Sequence, residues 1–184
     1  MRYYIIILIV FFLTACASSK PQESPNSKIQ TLPYSKQMLD GRVWTVQNLN
    51  IPTANSFCIK NDPENCNRYG RLYSWVAAKN ACNLLGKGWR LPTLGEWQIL
   101  AKAYGGMYGE SGDNGKSAYT ALFDGGNSEF NALLGGNREA NGKYERLEAH
   151  GFYWTATEAD TAEVWFINFA KGATLLNKHL KHKV

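Results

Sequence analysis

The sequence predicts an α+β domain. Three observations carry that expectation: two capped amphipathic runs in the first half, strand-like runs near the end, and a glycine-rich stretch between them. The length of 184 residues suits one domain with a tail. Six Trp and ten Tyr can bury a substantial core, which excludes a mainly disordered chain. The net charge of +5 is mild, and no dense Lys/Arg stripe precedes the last seven residues, so a nucleic-acid partner is not expected.

The elements follow in order. Asp40-Gly41 is a turn, and Arg42 to Leu49 reads as a first strand. Ser74 caps a helix running to about Leu85. Trp75, Ala78, Cys82 and Leu85 share one face of it, which turns Cys82 inward. Gly86 and Gly88 end the helix, and Trp89 to Pro92 is a short extended link. Thr93 and Glu96 form a capping box for a second helix, which carries Trp97, Leu100, Ala101 and Tyr104 on one face and stops at Gly105-Gly106. Residues 105–142 hold ten of the 17 Gly, and only Tyr119 to Phe123 and Phe130 to Leu134 look able to pack. Such excursions are functional or poorly ordered. Gly151 to Thr157 and Glu163 to Ala170 are strand-like, and Lys171-Gly172 turns into a return strand at Ala173 to Leu176.

The N-terminus has its own logic. Arg2 precedes an unbroken apolar run from Tyr3 to Leu13, too short for a bilayer span of about 20 residues. The run ends in Leu13-Thr14-Ala15-Cys16, which resembles a bacterial lipobox. That resemblance implies a signal peptide over 1–15, cleavage before Cys16, and lipidation of Cys16, palmitate included. The competing readings are an ordinary signal peptide or a buried helix that contains a Cys. The stretch from Ala17 to Ser35 is rich in Ser, Pro, Gln, Asn and Lys, as expected of a tether. The expected organisation is therefore signal 1–15, lipidated Cys and tether 16–37, and domain 38–184. Ala17, rather than Asp, after the Cys favours the outer membrane as the location.

Three cysteines remain. Cys58 and Cys66 enclose a turn-forming segment with Asn61-Asp62-Pro63 at its centre, and a local disulfide is expected there. Zinc is the rival, but two Cys with no nearby His make a weak site. Cys82 is then left over, which implies a free thiol, an intermolecular bridge or a missing partner.

The segments DGRVWTVQNLN, NRYGRLYSWVAA, GKGWRLPTLGEW, LLGGNRE, GFYWTATE and AEVWFINF, with the Cys58-to-Cys66 loop, together resemble the Fibrobacter succinogenes major paralogous domain. The resemblance covers roughly Met38 to Lys183. It implies a C-type-lectin-like, formylglycine-generating-enzyme-like fold: two helices, antiparallel strands and a long loop. Family members continue into a last strand of the type S-V-R-C, whose Cys in lectin-like folds bridges to the first helix. Here the chain stops at Val184, so the resemblance implies a domain lacking its final strand, an exposed sheet edge, and an unpaired Cys82.

The same residues set the functional expectations. Trp44, Trp75, Trp89 and Trp97 belong to the core. Trp154 and Trp165 adjoin the long loop, where lectin-like folds bind ligand, and Glu158, Asn168, Asp124, Asn127 and Arg138 complete the ligand-binding candidates. Core packing is the competing reading for both Trp, and loop solvation for the acidic and amide groups. The calcium-lectin signatures Glu-Pro-Asn, Gln-Pro-Asp and Trp-Asn-Asp are missing, so no cofactor or metal site is expected and calcium is only an added option. No Cys lies beyond Cys82, no HExxH or Ser/His/Asp order is present, and His150, His179 and His182 are isolated or in the basic tail. No catalytic residue is assigned. The expectation is an envelope lipoprotein with a non-catalytic domain that binds polysaccharide or a surface protein. A formylglycine-generating-type enzyme and a scaffold component are the alternatives.

Overall fold

The computed structural model describes residues 12–18 and 35–183. The signal run 1–11 and most of the tether, 19–34, lie outside the described residues. In chain order the strands are β1 (Ala17–Ser18), β2 (Ser35–Gln37), β3 (Val43–Thr45), β4 (Ser56–Phe57), β5 (Leu72–Tyr73), β6 (Trp89–Arg90), β7 (Gly135–Arg138), β8 (Tyr144–Leu147), β9 (His150–Glu158), β10 (Glu163–Ala170) and β11 (Leu175–His182). The helices are α1 (Pro63–Tyr69), α2 (Trp75–Asn83), α3 (Leu94–Ala103) and α4 (Lys116–Leu122). The fold is α+β, with four α-helices among the described residues where two were expected.

The caps read from the sequence are present. Ser74 Oγ accepts from the Ala77 amide at the start of α2. Thr93 and Glu96 form the reciprocal capping box of α3. The missed helix α1 starts at Pro63, with Asp62 accepting from the Glu64 amide, so the turn signal Asn61-Asp62-Pro63 is also a helix start. α4 follows Gly115, which has no side chain to cap it; Asp113, two residues earlier, accepts from the Gly115 and Ser117 amides instead, and that offset hides the helix start from a reading by cap spacing.

Three sheets are present among the described residues. The largest has the order β11-β10-β9-β7-β8, with β9, β10 and β11 antiparallel and β7 parallel to β9. β10 and β11 pair from Glu163↔His182 to Ala170↔Leu175, so the return strand runs well beyond Leu176 and takes in most of the basic tail. The second sheet has the order β2-β3-β1-β6, and β4 pairs with β5. Because β2 pairs with β3, the folded unit includes Ser35 to Gln37, which the sequence assigned to the tether.

One core cluster packs Trp44, Trp97 and Phe130 edge to face, with ring centroids 5.0 to 5.9 Å apart. Trp44, Trp75, Trp89 and Trp97 are all buried, as expected. Beside them Arg90 grips Glu96 with two hydrogen bonds of 2.5 and 2.8 Å, and Arg42 Nε adds a third at 3.3 Å. Burial of Glu96 opposes its ionisation, but the bonds from Arg90 and the Thr93 amide outweigh that and hold its pKa at about 2. The pair pins α3 to β6 and to the turn before β3.

The N-terminal segment is the main departure from expectation. Residues 12–18 are buried throughout. β1 lies between β3 and β6, with Ala17 opposite both Trp44 and Arg90. Phe12 bridges to Tyr73, and Leu13 bridges to Tyr153 of β9. Cys16 forms a disulfide with Cys82, so Cys82 is not unpaired, and no free cysteine is present among the described residues. The strand that carries a partner for Cys82, sought beyond Val184, comes instead from the N-terminal side. The physical reason is that an apolar run followed by Thr14-Ala15-Cys16-Ala17 suits a buried strand as well as an export signal: Ala15 and Ala17 are small enough to sit inside. The expected bridge between Cys58 and Cys66 is formed.

Candidate functional site

The glycine-rich excursion folds into α4 and a tight loop. Phe123 and Ala132 form a bridge, the Asp124 amide donates to the Ala132 carbonyl (3.1 Å), and the Ala132 amide donates to the Leu122 carbonyl (2.9 Å). Ser128 Oγ closes the interior by donating to the Ala121 carbonyl at 2.6 Å. Glu129 and Asn131 hold left-handed backbone, at φ 61° and 57°. The loop hangs on the buried Tyr153, whose hydroxyl accepts from the Leu133 amide (2.8 Å) and donates to its carbonyl (3.1 Å). Burial raises the Tyr153 pKa strongly, so the hydroxyl stays neutral and keeps both bonds.

This loop separates two clefts that share Asp124 and Gly125. The first, about 560 Å³, is walled by the segment after β3 and by α1, and presents Asn48, Asn50, Asn67, Arg68 and Asn131. The second, about 680 Å³, lies against α4 and presents Lys116, Thr120 and Asn127. The wall of the first is fixed from three sides. The Cys58–Cys66 disulfide holds α1. Asn48 Nδ2 donates to the Tyr69 carbonyl (2.8 Å), and the Arg71 amide donates to the Leu49 carbonyl (2.8 Å). Gly70, at φ 77°, lies so close to this segment that a Cβ there would meet Asn48 Cβ at 2.6 Å.

Charge is placed at one edge. Arg68 pairs with Glu148 at 3.2 Å and lies over the Tyr69 ring. Tyr69 OH donates to Glu148 at 2.6 Å. Burial and that hydrogen bond push the Tyr69 pKa up to about 12, and the same bond lowers that of Glu148.

The sequence candidates divide. Asp124 and Asn127 line the clefts. Trp154 does not: it is fully buried, with its indole N–H donating to the Tyr73 carbonyl at 2.9 Å, so it is core and not a surface platform. Asn168 is buried on β10 and hydrogen-bonded to His150. Arg138 lies over the Phe57 and Tyr144 rings. Glu158 pairs with Lys183, and Trp165 is half-buried on β10; neither lines the two clefts. Asn48, Asn50, Asn67 and Arg68 were missed, because three separate segments contribute the walls and no spacing links them. The Asn in DGRVWTVQNLN and NRYGRLYSWVAA were the available signal.

Among the described residues, Asp124 is the one carboxylate lining these clefts, and no group of three His, Cys, Asp or Glu side chains comes together. No helix among them is long and apolar enough to cross a membrane. Across the comparisons with known proteins, no curated protein and no solved structure matches the chain. The model of the Fibrobacter succinogenes major domain matches residues 28–183, taking in the clefts and nearly all of the described structure. The chain therefore belongs to the Fibrobacter succinogenes major domain family.

Proposed function

We propose that the chain is an envelope lipoprotein, held through Cys16 in the outer membrane, whose lectin-like domain is a non-catalytic binding module for polysaccharide. The observation that carries the binding reading is the pair of clefts sharing Asp124 and Gly125, lined by amides from three segments. An amide side chain both donates and accepts, which matches a surface of hydroxyls. Lys116, beside the second cleft, adds positive charge suited to an acidic sugar, while the Arg68 charge is already met by Glu148. The reading takes binding to need no metal or other cofactor, with calcium the added option that a chelator tests. A glycan array with the full chain tests this. Hits that survive a chelator and weaken in Asn67→Ala and Asp124→Ala support it. No hit, with a stable surface-protein partner in a pulldown, would replace polysaccharide by protein.

The anchor reading needs the Cys16 sulfur for lipid, whereas in the uncut chain that sulfur is bonded to Cys82. The two states exclude each other: peptide cleavage leaves an S–S bond intact, so the anchored chain is one whose Cys16 thiol takes lipid before the cut and before it can pair with Cys82. Fatty-acid labelling of the wild type but not of Cys16→Ser supports the anchor; equal labelling refutes it.

A further inference from the structure

Residues 12–18 join all three sheets. The amides and carbonyls of Phe12 and Tyr73 exchange hydrogen bonds of 3.0 and 2.8 Å. The Leu13 amide donates to the Phe152 carbonyl (2.7 Å), and the Leu13 carbonyl accepts from Trp154 (3.3 Å). The Cys16 carbonyl accepts from the Thr45 amide, and the Cys16 amide donates to Thr45 Oγ1, both at 3.1 Å. The Phe12 ring packs on Phe152, Trp154 and Phe166, with centroids 4.6 to 4.8 Å away. Gly135 makes room for Leu13: a Cβ there would come within 2.8 Å of it. In the proposed anchored chain the cut removes four of these residues, and lipid on the Cys16 sulfur keeps it from Cys82 and draws Cys16 to Ser18 towards the membrane; together these uncover a groove with an apolar floor, unpaired backbone on both rims, and Cys82 at one end.

We infer that this groove is a strand-acceptor site, and that in the chain cut before Cys16 it takes an extended segment of another polypeptide. The segment has large apolar residues at the places of Phe12 and Leu13, small ones at Ala15 and Ala17, and a cysteine that meets Cys82. The inference rests on the cleavage proposed above. One further observation favours a foreign occupant. Thr14 Oγ1 is buried without a hydrogen-bond partner, so the chain's own segment is not the best filler, and a Val at that place fits better. Exposed backbone rims that give affinity, with pockets for alternate side chains that give specificity, are how strand addition works in general.

The test uses the full chain with a protease site placed between residues 19 and 34. The chain is nicked there and reduced, and the reductant is removed. It is then given excess labelled peptide with the sequence of residues 12–18, carried as a mixed disulfide with an aromatic thiol. The Cys82 thiolate attacks the peptide sulfur, a new S–S bond forms, and the aromatic thiolate leaves; one disulfide is consumed as one forms, so no oxidant is needed. Mapping the label to Cys82, at a rate at least tenfold above that of a peptide carrying Leu13→Asp, is the expected result. No label at Cys82, or equal rates for the two peptides, overturns it. If nicking and reduction shift the Trp emission, recovery on adding the peptide supports the site, and lack of recovery overturns it. The mass of the N-terminus in cell membranes reports separately on cleavage and lipid, so failure of the anchor reading and failure of the groove are told apart.

Discussion

The seam around residues 12–18 and the clefts around Asp124 are built by the same device and do opposite things. Each relies on a short segment clamped beside a disulfide. At the seam every residue is buried and nearly every backbone group is paired within the protein. At the clefts, neutral amides and charges face open space. The disulfides differ in reach. Cys16–Cys82 spans 66 residues and Cys58–Cys66 spans 8. Closing the longer loop constrains the unfolded chain by about 4 kcal/mol, the shorter by about 2.5 kcal/mol. The larger share of the disulfide stabilisation therefore falls at the seam, and the smaller at the clefts proposed for binding.

Substitutions should separate the two regions. In the uncut, oxidised chain, Leu13→Ala and Trp154→Ala should each cost about 3–5 kcal/mol in urea unfolding, since both side chains are fully buried. A cost under about 1 kcal/mol would mean that the seam does not hold the fold. Cys82→Ser should cost about 4 kcal/mol and Cys66→Ser about 2.5 kcal/mol, in that order; the reverse order would break the comparison.

Glu96 has a folded pKa of about 2, below its ordinary 4.5. It therefore stabilises the fold above pH 4.5, by about 3 kcal/mol, and that contribution is lost as pH falls from 4.5 towards 2. Glu96→Gln should flatten the pH dependence of unfolding over that window. Thr14→Val should raise stability by about 1 kcal/mol, because it removes an unpartnered buried hydroxyl. At the other extreme, Asn67→Ala and Asp124→Ala should leave stability within about 0.5 kcal/mol while weakening ligand binding roughly 5- to 10-fold. Calorimetry beside a binding titration reads both quantities. A large stability loss with unchanged affinity would make the clefts structural.

Much of the fold was legible. The Ser74 and Thr93 caps work through neighbours three residues away, so spacing alone reveals them. The β10–β11 hairpin and the Cys58–Cys66 bridge are likewise local. Trp154 was not legible. Residues 151–155 of β9 are buried on both faces, so the alternation that tells an inward from an outward side chain is absent. Of the clefts, Asp124 and Asn127 could be named because they lie in the glycine-rich excursion, whereas Asn67 and Arg68 lie on a helix hidden inside a turn signal.

By itself the sequence determined the α+β class, the family, the two capped helices and the inward face of Cys82, because caps, periodicity and motif order act over a few residues. Only the tertiary structure decided which sulfur meets Cys82 and which segments wall the clefts. An apolar run followed by small residues satisfies an export signal and a buried strand equally well, and the choice between them rests on whether β3 and β6, more than forty residues apart in sequence, leave a place for it.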